Sequence, residues 1–358
     1  MRVRRLLLLA LVAAAQFVVF EVALRTWGHS EAAPAFQSLF LPDPAIGYRL
    51  RPGARVRFAT VDFDTRIAIN DQGVRDDEPI GPKPPNERRI VVLGDSLVMS
   101  VQVDQQQTFC HLLEERLNRS GGPIRYRVIN AGVQGYGPVE ELLFYRHVAR
   151  AFQPDLVITT VFVGNDAEEA VGSSGRLHER PLTETISEST ITRLRRIVRR
   201  SMVLQILRLR VVAVTSRFPS RGAPPEPPLQ SYAEHPAPRI AEGLRITREC
   251  IEAIAADAAR AGAQTMVMLM PARFQVNDED YANLRQAVDA AGGHLVRDAA
   301  TARFDAALAP LPVARFDALP ALRAAGPEVF YVRTVHLTPR GHEVVAGALE
   351  AFLRRQGL

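Results

Sequence analysis

Residues 90–96 are Ile90-Val91-Val92-Leu93-Gly94-Asp95-Ser96. An uninterrupted run of apolar, mostly β-branched residues is typical of a strand that is buried on both faces, as in a parallel sheet covered by helices. A serine that directly follows such a strand lies at the carboxyl edge of the sheet, where open α/β folds bind their ligands. The segment therefore predicts a parallel sheet with a polar site at its edge.

Strand and helix patterns alternate along the chain after residue 89. Short apolar runs bounded by turn residues predict further strands at 128–129, 156–163 and 265–270. Helical periodicity predicts helices at 108–117, 139–152, 240–261, 278–290 and 341–354. This alternation predicts a doubly wound, flavodoxin-like α/β domain over residues 89–358, with a parallel sheet and helices on both faces.

Two segments do not follow this alternation. Residues 31–88 show no helical period, and pairs such as Val56/Phe58 and Ile67/Ile69 alternate with polar residues. They predict a short antiparallel pair within a small β-rich extension. Residues 171–238 form a helical insertion with a strongly basic helix from Thr190 to Val212 and a proline-rich end. That helix either packs on the domain as a lid or lies on an anionic membrane surface.

The N-terminus predicts where the protein is located. Arginines at positions 2, 4 and 5 precede an apolar stretch, residues 6–24, in which Gln16 and Glu21 are the only polar residues. About 20 mostly apolar residues span a bilayer as a helix, and the basic flank stays in the cytoplasm. We expect residues 1–28 to be a single-pass signal anchor in the inner membrane, with the domain on the periplasmic side. The alternative is a signal peptide cleaved after Ala13-Ala14-Ala15.

Composition excludes several classes of function. The net charge is +5, but the first 30 residues carry four arginines and one glutamate, so about +2 remains for the rest. No basic stretch has interleaved aromatic residues, which argues against nucleic-acid binding. Cys110 and Cys250 have no metal-ligand spacing, so we predict no metal and no cofactor. Both cysteines fall on helical, partly apolar stretches and are expected in the core, with a disulfide as the alternative.

Three more polar segments follow predicted strands or open the last helix. They are Asn130-Ala131-Gly132-Val133-Gln134-Gly135-Tyr136-Gly137, Gly164-Asn165-Asp166 and His336-Leu337-Thr338-Pro339-Arg340-Gly341-His342. Together with Gly94-Asp95-Ser96, and in this order, they resemble the sequence blocks of the SGNH (GDSL-type) hydrolases, an esterase and lipase family. The resemblance covers residues 89–358 apart from the insertion. Residues 43–48 and 69–75 also resemble an extension of membrane-anchored bacterial members.

The resemblance implies a role for each matching residue. Ser96 would be the nucleophile, His336 its base and His342 a structural residue. The oxyanion hole would consist of the Ser96 and Gly135 backbone N–H groups and the Asn165 side chain. This set is chemically sound, because a serine hydroxyl needs a base to take its proton and the oxyanion needs donors fixed in advance.

The sequence departs from the family pattern at one position. The family has an aspartate three residues before the histidine, whereas Arg333 stands there in this chain. Loss of the acid lowers the rate of a serine protease by about 10⁴-fold. Three interpretations follow: a Ser-His dyad oriented by a backbone carbonyl, an acid recruited from elsewhere (Asp166 or Asp317), or a degenerate site.

Two functions from different classes are therefore expected. The first is a serine-dependent ester hydrolase or acyltransferase that acts on an acylated small molecule, or on acyl groups of a cell-envelope glycan or lipid, and is held at the membrane by its N-terminal helix. The second is a non-catalytic glycan-binding or assembly protein that retains the fold, which Arg333 motivates. Sequence alone does not separate hydrolase from acyltransferase, because they differ only in the acceptor.

Overall fold

The computed structural model describes residues 36–119, 121–177, 229–290 and 292–357, together with positions 16, 17 and 19. Most of the predicted anchor (1–28) and the whole basic helix (190–212) lie outside these residues. Among the described helices, none is long and apolar enough to cross a membrane.

Two antiparallel hairpins form the N-terminal extension. Their strands are β1 (Phe40–Asp43), β2 (Gly47–Leu50), β3 (Arg55–Ala59) and β4 (Asp64–Ala68). In the second hairpin Val56 pairs with Ile67, so the predicted antiparallel pair is confirmed. The first hairpin was not predicted.

A five-stranded parallel sheet forms the centre of the main domain. Its strands are β5 (Glu87–Gly94), β6 (Arg125–Gly132), β7 (Leu156–Phe162), β8 (Gln264–Met270) and β9 (Ala314–Asp317). The spatial order is β6-β5-β7-β8-β9, and all neighbours are parallel. This is the flavodoxin-like doubly wound order, with its switch point between β5 and β7. The predicted fold class is confirmed.

Ten α-helices connect or flank the strands in the described residues. They are α1 (Ser96–Met99), α2 (Phe109–Asn118), α3 (Pro138–His147), α4 (Asp166–Ser173), α5 (Pro238–Arg260), α6 (Arg273–Val276), α7 (Asp278–Ala290), α8 (Ala299–Leu308), α9 (Leu319–Ala325) and α10 (Pro339–Arg355). Strand β9 and five of these helices were not predicted, namely α1, α4, α6, α8 and α9. In β9 only Phe316 is buried, so this edge strand lacks an apolar run.

The core lies on both faces of the sheet. Along β5, Ile90 and Val92 belong to one apolar cluster and Val91 and Leu93 to the other. The first cluster includes side chains of α2, α8 and α10, and the second includes those of α3, α5 and the extension. Cys110 and Cys250 are free and buried in opposite clusters, so they are core residues and the alternative of a disulfide is wrong.

Candidate active site

Ser96 begins the short helix α1 directly after β5. The Asp95 carboxylate caps this helix by accepting the Leu97 N–H at 2.8 Å. At Gly132, on the neighbouring strand, a Cβ would lie 2.3 Å from the Met99 nitrogen, so only glycine allows β6 to pass this close to α1. Ser96 is 8% exposed and lies at the sheet edge that the sequence predicted.

The Asp95 carboxyl group is buried directly beside the serine. Burial raises its pKa to about 6, and hydrogen bonds from Leu97 and Ser96 oppose that rise.

A fully buried arginine closes the other end of α1. Arg75, from the end of the extension, donates hydrogen bonds to the carbonyl oxygens of Met99, Ser100 and Val103. Burial lowers the pKa of Arg75 to about 10, which leaves it charged at neutral pH. Because it bonds to three carbonyl groups of one segment, Arg75 helps to fix the segment that carries Ser96.

Gly135 lies in the loop after β6, next to β5 in the sheet. Its φ angle is +75°, a conformation that glycine adopts without strain. No described hydrogen bond starts from its backbone N–H. The Tyr48 hydroxyl of β2 donates to the Gln134 carbonyl oxygen at 2.8 Å, and a Cβ on Gly135 would lie 3.0 Å from that hydroxyl oxygen.

Asn165 follows β7, on the other side of β5. Its Nδ2 donates to Glu169 Oε1 at 2.7 Å, which leaves its second amide hydrogen for a ligand. Burial raises the pKa of Glu169 to about 8, and the charges of Asp95 and Glu140 add to this rise. Glu169 is therefore largely protonated at neutral pH. Ser96, Gly135 and Asn165 thus follow three adjacent strands at one edge of the sheet.

His336 lies on the loop before α10. Neither ring nitrogen has a hydrogen-bond partner among the described residues, and both are buried. Burial lowers the pKa of His336 to about 4, so the imidazole is neutral, the form that accepts a proton. The structure does not join His336 to Ser96 by a hydrogen bond, although such bonds are often formed only with substrate present.

The arginine at the position of the missing acid forms an ion pair with an aspartate of the extension. Arg333 pairs with Asp62 of the β3–β4 turn at 3.2 Å, and its side chain is 64% exposed. Its charge is not among the causes that lower the pKa of His336.

Neither acid considered as a substitute contacts the imidazole. Asp166 accepts the Phe162 N–H at 2.9 Å, and burial followed by the charges of Asp95 and Glu141 raises its pKa well above the usual range. Asp317 accepts the Leu319 N–H at 2.9 Å and ends β9. His336 has no orienting carboxylate among the described residues.

Other contacts hold the His336 loop in place. The Tyr331 hydroxyl donates to the Gln102 carbonyl at 3.2 Å, in the loop that follows α1. The rings of Tyr331 and Phe63 are 5.7 Å apart. Arg273 donates to the Tyr331 carbonyl at 3.0 Å. The loop is thus bound to α6, to the loop after α1 and to the extension.

A cavity of about 630 Å³ adjoins the site, which is within the usual size of a ligand pocket. It lies between Gly164, next to Asn165, and Val335, next to His336. Apolar side chains such as Phe274 and Leu284 form much of its wall.

Sequence reasoning missed four residues of this region, namely Tyr48, Arg75, Glu169 and Arg273. Tyr48 and Arg75 stand in the two extension segments that resembled family members, so their positions were noted without a role. Glu169 is on the first turns of α4, where acidic residues are common, and nothing in the sequence pointed to its contact with Asn165.

A family model matches part of the chain. Residues 230–358 match the model described as "SGNH hydrolase-like domain, acetyltransferase AlgX". This segment contains His336 and His342 but not Ser96, Gly135 or Asn165. No curated protein sequence matches the chain significantly.

Solved structures with a similar fold share little sequence with this chain. TesA is 13% identical, with a TM-score of 0.42 over 75% of this chain and 99% of its own. A catalytic mutant of Axe2, an acetylxylan esterase from Geobacillus stearothermophilus, is 12% identical, with a TM-score of 0.39 over 75% of this chain and 93% of its own. The lipase/acylhydrolase from Enterococcus faecalis is 12% identical, with a TM-score of 0.41 over 75% and 96%.

Proposed function

We propose that this chain belongs to the SGNH hydrolases and is a serine-dependent acyl-ester hydrolase or acyltransferase. The observation that carries the proposal is the arrangement at the switch point of the sheet. Ser96, Gly135 and Asn165 follow β5 and its two neighbours, so a nucleophile stands between two sources of oxyanion donors. The family match over residues 230–358 supports it independently, because that segment supplies His336.

The proposed reaction has two steps. The Ser96 oxygen bonds to the acyl carbon while its proton passes to His336, and the oxyanion is held by Gly135, Asn165 and the Ser96 N–H. The alcohol then leaves with the proton from the imidazolium. In the second step, water or a hydroxyl group of an acceptor bonds to the acyl carbon while His336 takes its proton. The bond between the acyl carbon and the Ser96 oxygen then breaks, the acid or the new ester leaves, and His336 returns the proton to Ser96.

The acyl group and the location follow from separate observations. The matching family description names an acetyltransferase, which supports acetyl as the group transferred. The apolar residues 6–24 support anchoring outside the cytoplasm, where acylated envelope glycans or lipids are the accessible substrates.

A serine-directed fluorophosphonate probe tests the proposal on the full chain. We expect it to label the wild type and Ser231→Ala, which alters a buried serine whose hydroxyl donates to Glu168 at 2.9 Å, but not Ser96→Ala. Hydrolysis of a short p-nitrophenyl ester should follow the same pattern, without a change in the melting temperature. Labelling that persists in Ser96→Ala would show that Ser96 is not the nucleophile.

A non-catalytic, glycan-binding protein remains the second candidate, because both ring nitrogens of His336 lack partners among the described residues. An unlabelled, inert wild type that binds an acylated glycan would establish that function instead.

A further inference from the structure

The extension contacts the loop that carries the proposed oxyanion donor. The Tyr48 hydroxyl donates to the Gln134 carbonyl at 2.8 Å across 86 positions of sequence. The Gln134–Gly135 peptide is trans, so its C=O and N–H point in opposite directions. Fixing the carbonyl therefore also fixes the direction of the Gly135 N–H.

Gly135 is shaped for this contact. Its positive φ angle of +75° turns the peptide, and the absence of a side chain leaves room for the Tyr48 hydroxyl, which a Cβ would meet at 3.0 Å. No described hydrogen bond uses its N–H. The Gln134 carbonyl thus accepts a hydrogen bond from Tyr48, while the Gly135 N–H is left for a ligand.

Tyr48 is itself held firmly. The Tyr136 hydroxyl donates to the Tyr48 carbonyl at 2.6 Å, and the two rings pack edge to face at 5.4 Å. Burial, followed by the charges of Glu140 and Glu169, raises the pKa of Tyr48 to about 12. The hydroxyl therefore remains a donor throughout the working pH range.

We infer that Tyr48 is a positioning residue for the oxyanion hole, acting through the Gln134–Gly135 peptide. The inference rests on the proposed function for its catalytic consequence, whereas its structural part can be measured without any substrate. The extension is then part of the active site.

The kinetic test compares Tyr48→Phe with the wild type. The substitution keeps the ring and removes only the hydroxyl, so kcat should fall at least about tenfold with little change in KM. The fall in kcat should be smaller than the 10²–10³-fold loss that is typical when an oxyanion donor is removed, because the Gly135 N–H itself is retained. Tyr281→Phe, which loses a hydroxyl-to-carbonyl bond to Leu295, is the matched control and should behave as the wild type. A wild-type kcat in Tyr48→Phe, with Ser96 still essential, would overturn the inference while leaving the proposed function intact.

The second test does not depend on activity. Labelling glutamine carbonyl carbons and glycine nitrogens selects the Gln-Gly pairs in an NMR spectrum, and the chain has three: Gln72-Gly73, Gln134-Gly135 and Gln356-Gly357. Tyr48→Phe should shift the Gly135 amide resonance and leave the other two in place. An unmoved Gly135 resonance would overturn the inference even if the protein proves to be non-catalytic.

Discussion

The Arg333 guanidinium lies 3.2 Å from the Asp62 carboxylate, so the side chain three residues before His336 reaches the extension rather than the imidazole. The position that would orient the histidine in the family therefore joins two segments of this chain. His336 has no orienting partner among the described residues, which leaves its tautomer unfixed.

An aspartate at position 333 should raise activity. In Asp62→Asn/Arg333→Asp the new carboxylate faces an uncharged asparagine instead of the like charge of Asp62. It can therefore orient the imidazole and stabilise its charged form. We expect kcat/KM to rise, up to the factor of about 10⁴ that such an acid supplies.

Asp62→Asn/Arg333→Asn is the matched control, since it removes the ion pair without adding a charge. The gain should also disappear when His336→Ala is added. Equal rates for the Asp and Asn variants would contradict the prediction.

Glu169 should impose an alkaline limit on the reaction. Its pKa is raised to about 8, and its carboxyl group accepts the Asn165 amide. As pH rises through about 8 the Glu169 carboxyl group becomes negatively charged beside the proposed oxyanion hole, so kcat should fall. Glu169→Gln keeps an acceptor without a charge and should flatten this limb of the profile.

The neighbouring variant Glu168→Gln is the control for that profile and should retain the decline. An alkaline limb that is identical in Glu169→Gln would exclude Glu169 as its cause.

His342 should make the fold sensitive to acid. It is buried, stacks on Phe109 and accepts that residue's N–H at 3.2 Å. Burial, then the charges of Arg75 and His336, lower its pKa to about 3 from about 6.5 in the unfolded chain. The neutral His342 side chain therefore contributes fully to the free energy of unfolding above pH 6.5. This contribution is lost as the pH falls towards 3.

The measurement is the free energy of unfolding in urea between pH 7 and pH 4. In His342→Gln the unfolding free energy should fall less steeply as the pH is lowered. The slope should decrease by up to the uptake of one proton, about 1.4 kcal/mol per pH unit. Equal slopes for the two proteins would refute the assignment.

The sequence predicted the sheet and the edge on which the site residues lie, because parallel strands end at a common edge and local apolar runs mark them. Ser96, Gly135 and Asn165 each follow such a run. Their roles remain predictions. The short edge strand β9 was missed because burial of Phe316 alone leaves no local pattern.

The supporting contacts were beyond prediction for a different reason. The Tyr48–Gln134 and Asp62–Arg333 contacts join residues 86 and 271 positions apart. Neither periodicity nor spacing records which distant loops will meet once the helices have packed.

The Asp62–Arg333 pair also sets an order of events during synthesis. The extension leaves the ribosome first, yet its last partner is made 271 residues later. Contacts this distant along the chain close late, because loop-closure entropy must be offset before they can form. A nascent chain can therefore have its sheet, and Ser96 at the end of β5, before the extension contacts the His336 loop. The complete site can therefore assemble only after the His336 loop has left the ribosome.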